Sequence, residues 1–263
     1  PDELSLSVLL TAVVSILPNL NCLFFKLLLY PTIAAINIFM IKIAGLDLSI
    51  SSSGVIIEEL DDNFNITKVE RYGFTKVLKN SAENIIYYKT TQFKNDYERY
   101  QFFCDNIIWW CKDCDYIGVE DYAYSMSGAS GMIFSLAEFE GNIKLSLFRH
   151  GCKLKFYTPN QNKKFFAGYG SADKIGMRDA FNKWQGVKPD LSDLPAVTNG
   201  KAGNSPTSDI IDAFAICEFL RKELRIKNNI EIMANQEKYI QECFLTKTKE
   251  HPCGLILSDF ICK

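Results

Sequence analysis

The sequence has no surplus of positive charge: 29 Lys and Arg stand against 31 Asp and Glu, for a net charge of −2. That weighs against a protein that grips nucleic acid through a general cationic surface, because phosphate binding draws on a Lys/Arg excess. Local basic stretches beside an acidic site remain compatible with it, and Lys153–Lys164 and Arg221–Lys227 are two such stretches. A second metal-type cysteine pair is also missing. Cys111-x-x-Cys114 has only His150, Cys152, His251 and Cys253 to complete a zinc site, at the wrong spacing. The nine cysteines are odd in number, and Cys104, Cys111 and Cys217 lie in apolar helical runs. A disulfide-built secreted domain is thereby disfavoured, and buried or incidental thiols in a reducing cytoplasm are expected, the host's if the chain is virus-borne. No internal repeat is present.

Charge is absent from residues 4–25, and Lys26 is the only charged residue between Glu3 and Lys42. By length the first run could span a bilayer. Pro18, Asn19 and Asn21 interrupt it, Pro31 breaks the next run, and Pro-Asp-Glu is not the basic start of a signal peptide. Met40 directly precedes Ile-Lys-Ile-Ala-Gly-Leu-Asp, which reads as the opening strand of a soluble domain. Met40 is therefore read as the natural start and residues 1–39 as a mis-called extension. A membrane anchor is the second reading, and only under it is membrane contact expected.

What is present from residue 41 onward is a regular alternation of elements. Ile41–Ser49 and Val55–Leu60 read as strands around a Ser-Ser-Ser-Gly turn, and Asn65–Tyr72 as a third. Tyr97, Tyr100, Cys104, Ile107, Ile108 and Cys111 recur at helical spacing over 96–112. Tyr116–Glu120 reads as a buried strand, Ser130–Leu147 as a helix and Lys153–Tyr157 as a strand. Ala172–Trp184 follows as a helix capped by Ser171. Residues 186–206, with three prolines and three glycines, read as a loop. Pro206–Arg225 is a strong helix, with another around 230–244. The expected organisation is a domain over 40–226 followed by a helical tail over 227–263. The fold class is α/β, a mixed sheet antiparallel in its first strands and parallel later, flanked by helices.

Four acids sit where acids need a reason. Asp47 lies in the first strand and Glu120 ends the apolar strand Tyr116-Ile117-Gly118-Val119. Asp209 and Asp212 are three apart at the start of an apolar helix and share one face. Singly, each has a bland explanation: Asp47 as an acceptor of backbone hydrogen bonds, Asp209 as a favourable charge at a helix N-terminus. Together they suit a divalent cation such as Mg2+, with Mn2+ as a substitute. Two such ions about 4 Å apart activate water and stabilise the leaving oxygen of a phosphodiester. Asp121 points to the other side of its strand and is left out of the set.

The order and spacing of these residues resemble the RuvC family of Holliday junction resolvases, within the RNase H-like nuclease superfamily. The resemblance rests on Gly45-Leu46-Asp47 through Ser53-Gly54, Val119-Glu120, Gly168-Tyr169-Gly170-Ser171-Ala172-Asp173-Lys174 and Ser208-Asp209-Ile210-Ile211-Asp212-Ala213, across residues 41–225. It implies an RNase H-like fold and metal ligation by Asp47, Glu120, Asp209 and Asp212. It also implies a catalytic phosphate contact at Lys174, a residue otherwise readable as an ordinary solvated lysine. A homodimer that nicks a four-way DNA junction symmetrically on two strands is implied too. The alternatives are an RNase H-like nuclease on RNA–DNA hybrids or other branched DNA, and an actin- or sugar-kinase-like ATPase fold. The latter lacks a second Asp-x-Gly motif here. A catalytically dead binding module fits poorly with four retained acids. Trp109 and Trp110 are offered to an interface or to bases, with core packing expected of at least one.

Overall fold

The computed structural model describes residues 40–76, 82–121, 130–199, 204–247 and 251–262, with the backbone alone of 130–132. Residues 1–39, on which the extension and anchor readings fall, lie outside the described residues. Among those described, no helix is long and apolar enough to cross a membrane.

The β-branched runs at the start form an antiparallel meander of β1 (Ile41–Asp47), β2 (Ser53–Leu60) and β3 (Ile66–Thr75). Short β4 (Ile85–Tyr87) joins β3 in parallel. On the other side, β5 (Tyr116–Glu120) runs parallel to β1 and β6 (Lys153–Tyr157) parallel to β5. The sheet order is β4-β3-β2-β1-β5-β6, the mixed sheet expected of an RNase H-like fold.

Strand side chains alternate between two cores. Ala44, Leu46, Ile117 and Val119 face α1 (Asp96–Cys111) and α2 (Ser130–Arg149), with Phe74, Phe103 and Phe139 between them. Ile43 and Ile56 face the opposite layer of α3 (Pro159–Ala167), α4 (Lys174–Lys183), α5 (Thr207–Lys227) and α6 (Lys238–Leu245). There Phe165, Phe214, Phe219 and Phe244 fill the space between helices and sheet. Of the tryptophans, Trp110 packs against Tyr72 and Phe74 with ring centroids 5.0 Å away in each case. Trp109 is exposed, with Lys112 Nζ 3.8 Å above its ring. Six cysteines of the described part, Cys104, Cys111, Cys114, Cys152, Cys217 and Cys243, are buried free thiols.

Several elements differ from the sequence expectation. β3 runs three residues further than Tyr72, and β4 was not anticipated. Neither was α3, although Thr158-Pro159-Asn160-Gln161 is a start signal: Thr158 and Gln161 cap each other, with Pro159 in the first turn. α4 begins at Lys174, not Ala172, and its cap is Asp173, not Ser171, with the Asp173 carboxylate accepting from Gly176 N at 2.8 Å. The helix expected over 230–244 divides into a 3-10 turn (Met233–Asn235) and α6. The loop before α5 is tied to its surroundings where described. Arg71 pairs with Asp193, Arg178 donates to Val197 O at 2.9 Å, and Thr207 Oγ1 donates to Pro195 O at 2.6 Å. Beyond α5, Phe244 enters the core, Phe260 packs 4.8 Å from Tyr116, and Ile261 forms a bridge with Leu154.

Candidate active site

The site is set by how closely α5 lies on the sheet. Gly45 and Gly118 are register partners on β1 and β5, and both face α5. A Cβ at Gly45 would stand 2.3 Å from Ala213 O, and one at Gly54 on β2 would stand 2.2 Å from Asp209 O. Only glycine allows that approach. Two residues past Gly45 and Gly118, on the same face, come Asp47 and Glu120 at the ends of their strands. Asp47 is also the register partner of Gly54, against which the main chain of Asp209 rests. Asp209 and Asp212, in the first two turns of α5, therefore meet Asp47 and Glu120 across a cleft. The four acids expected from the sequence are brought together.

Their surroundings are unequal. Asp209 is buried and held by hydroxyls: Ser52 Oγ contacts its Oδ2, and Ser208 Oγ lies 3.2 Å from its Oδ1. Lys174 Nζ donates to that same Ser208 Oγ at 3.0 Å, which brings the expected lysine to the edge of the site. Asp212 Oδ1 is buried with no hydrogen-bond partner. Burial, and then the charge of Asp209, push Asp212 up to about 7, while Lys163 and Lys174 pull it down in part. Burial and Asp212 push Glu120 up to about 8, again against Lys163 and Lys144. Asp47 is held well above the ordinary carboxylate range, first by burial and then by Glu120, Asp212, Asp209 and Glu140. Without a cation among them these acids resist ionisation, and the neighbouring lysines offset only part of that cost.

A cation fits this donor set by charge and by the spare oxygen of Asp212. Among the described residues, however, no three His, Cys, Asp or Glu side chains meet as a ready-made ligand cluster. The acids face one another without closing on a common point.

Several residues of the site escaped the sequence reading. Lys163 on α3 acts on both Glu120 and Asp212. On α2, buried Glu140 and Lys144 pair at 2.9 Å, and Lys144 lies 3.6 Å from Asp121, which stays outside the acid set. Ser52 and Ser208 are the others. The signal for Lys163 was the basic stretch 153–164, but only with α3 recognised is its direction given. The second basic stretch is corrected by the structure. Arg221 is bound to Glu218, Lys222 and Arg225 to Glu231, and Lys227 to Glu223, so these cations serve internal pairs. In the first stretch Lys155 is buried against Glu223 and Lys164 pairs with Glu242.

No family model matches the chain. A crossover junction endodeoxyribonuclease RuvC of Helicobacter hepaticus is 25% identical over 187 residues, covering 71% of this chain and 85% of that protein. The chain is similar in sequence to that RuvC. Among solved structures, the yeast mitochondrial Holliday junction resolvase Ydc2 aligns with a TM-score of 0.44 at 13% identity, covering 76% of this chain and 82% of that one. Thermus thermophilus RuvC in complex with a Holliday junction substrate aligns with a TM-score of 0.42 at 16% identity, covering 67% and 90%. The four acids of the resemblance occupy the ends of β1 and β5 and the first two turns of α5.

Proposed function

We propose that the protein is a structure-selective endonuclease that resolves four-way DNA junctions by paired symmetric nicks. The observation that carries this reading is the meeting of Asp47, Glu120, Asp209 and Asp212, whose charging the lysines around them favour only in part. The sequence kinship with a crossover junction endodeoxyribonuclease supports the choice of substrate. Asp47, Glu120, Asp209 and Asp212 would hold divalent cations, Mg2+ first, and Asp212 Oδ1 is the oxygen with nothing else to bind. When bound, such ions generate a strong nucleophile from water near neutral pH and stabilise the leaving oxygen. Lys174, fixed through Ser208, and Lys163 flank the acids where a scissile phosphate would enter, and each offers it a cation. Two copies acting as a homodimer match a junction that is itself two-fold, one site for each nicked strand.

The test is cleavage of a synthetic four-way junction with and without Mg2+, beside linear duplex and RNA–DNA hybrid controls. Wild type should give paired nicks confined to the junction, and Asp212→Asn none. Cutting of the hybrid alone would move the protein to the ribonuclease branch with the same chemistry. A well-folded wild type that cuts nothing would refute the reading.

A further inference from the structure

The turn between β1 and β2 is rich in serine, and serine hydroxyls bind it together. Ser52 N donates to Ser49 Oγ at 3.1 Å, and the Ser49 hydroxyl donates back to Ser52 O. Ser53 Oγ donates to Ser49 O at 3.0 Å, while Ser49 N donates to Ser53 Oγ at 3.1 Å. From outside, Tyr88 OH lies 3.0 Å from Ile50 O and 3.2 Å from Ser51 O. The turn is therefore fixed without help from α5. Of its serines, Ser52 alone reaches across to the helix.

Ser52 is buried, and its Oγ stands between Phe74 O on β3, at 2.9 Å, and Asp209 Oδ2 on α5. A hydroxyl has one hydrogen to give, and a charged carboxylate is a stronger acceptor than a carbonyl. Ser208 Oγ sits at the other oxygen, Oδ1. The two oxygens of Asp209 are thus met by hydroxyls from two different elements, one of them anchored in the rigid turn. A ligand whose side chain is already oriented gives up less freedom when an ion arrives, and partners of this kind change metal affinity by about 10–100-fold.

From this geometry we propose that Ser52 is a positioning residue: its hydroxyl aims Asp209 at the divalent cation. The proposal rests on the metal-dependent reading above. It differs from that reading in naming a residue that touches neither ion nor DNA, and in assigning the serine turn a role beyond joining two strands.

The test is calorimetric titration of the full chain with MnCl2 in the absence of DNA, a measurement independent of cleavage. Wild type, Ser52→Ala, Ser52→Cys, Asp209→Asn and the Ser52→Ala/Asp209→Asn double variant are compared, each melted first in EDTA to confirm folding. Ser52→Ala should bind Mn2+ about tenfold more weakly. Ser52→Cys keeps the size but is a weak donor, so it should fall with Ala. Ser52→Ala should add little once Asp209 is Asn, since both changes act on one ligand. Unchanged Mn2+ binding in a folded Ser52→Ala or Ser52→Cys protein, or fully additive losses in the double variant, would overturn the role of Ser52 alone. A wild type that takes up no Mn2+ would overturn the metal reading first, and this proposal with it.

Discussion

Helix α5 presents acids to the sheet in two places. In its first turns, Asp209 and Asp212 face Asp47 and Glu120 across a cleft where Lys163 and Lys174 offset only part of the charge. Further along, Glu218 and Glu223 are buried, Glu218 beside Glu58 of β2 and Glu223 beside Lys155 of β6. There Glu218 and Glu223 are answered by cations at contact distance, while both oxygens of Glu58 lack a hydrogen-bond partner. Arg221 pairs with Glu218 and stands 3.8 Å from Glu58. Lys155 and Lys227 each lie 2.9 Å from Glu223, and Tyr157 OH donates to it at 2.8 Å. Glu58 itself is pushed well above the ordinary range, first by burial and then by Glu218. Acids buried with cations of their own hold the fold together. The acids at the start of α5 have only part of their charging cost offset by nearby lysines, which sets them apart as the candidate site.

The sharpest way to break this comparison is to remove one acid from each region. Asp212→Asn should lower junction cleavage by about 1000-fold or more, ~4 kcal/mol of barrier at ~1.36 kcal/mol per tenfold. In EDTA its melting temperature should equal or exceed that of wild type, because a repelled carboxylate is gone. Loss of folding in Asp212→Asn would put it in the structural group. Arg221→Met should do the reverse. Leaving Glu218 and Glu58 without their cation should cost about 3–5 kcal/mol in denaturant unfolding. Replacing Glu58 and Glu218 by apolar residues in the same protein should restore most of it.

The pH response sharpens the comparison further. Glu120 and Asp212, at about 8 and about 7 when folded, hold protons that the unfolded chain has released. The stability they contribute is present below the unfolded carboxylate pKa of about 4, and is lost as pH rises through about 7 to 8. Glu58 works in the same direction. Melting in EDTA should therefore move downward from roughly pH 5 to roughly pH 8.5. Mg2+ should cancel the share due to the cleft and leave the share due to Glu58, which Glu58→Gln should remove. The smallest expected effect is that of Lys163→Met. Without this cation, Glu120 and Asp212 release protons less readily, so half-maximal cleavage should need several-fold more Mg2+ at pH 7, roughly within the tenfold typical of neighbouring groups.

Much of this is legible in the sequence itself. The runs from Ile41, Val55 and Tyr116 show their strands because they are apolar and β-branched, and the acids ending two of them stand out against that background. β4 escaped because three residues after a left-handed Asn84 leave no periodicity to detect. α3 escaped because it begins two residues after β6 ends, with its start signal inside what looked like a basic stretch. The deeper difficulty concerns charge. Glu58 in an apolar strand and Glu218 in an apolar helix satisfy the argument that singled out Asp47 and Asp209 equally well. Burial cost alone could not separate them, because it is the distance to Arg221 that decides. The resemblance, through the order of its motifs, named four acids that act on one another in the structure. Ser52, Lys163, Glu140 and Lys144 left no such trace, because their importance lies in contacts between segments far apart in the chain.

The return of residues 254–261 to the outer strand has a consequence for behaviour in concentrated solution. β6 ends the sheet on one side, and its open backbone is a template on which a second chain could continue the ladder. Leu154 N already donates to Ile261 O and Ile261 N to Leu154 O, both at 2.9 Å, so the middle of that edge is taken. Lys227 Nζ fastens the same segment by donating to Ser258 O at 2.7 Å. At the far edge β4 is only three residues long, too short to recruit a partner strand. A protein cut before Gly254 should keep its acids in place and yet form sheet-linked polymers, which light scattering would register while the intact chain stays clear.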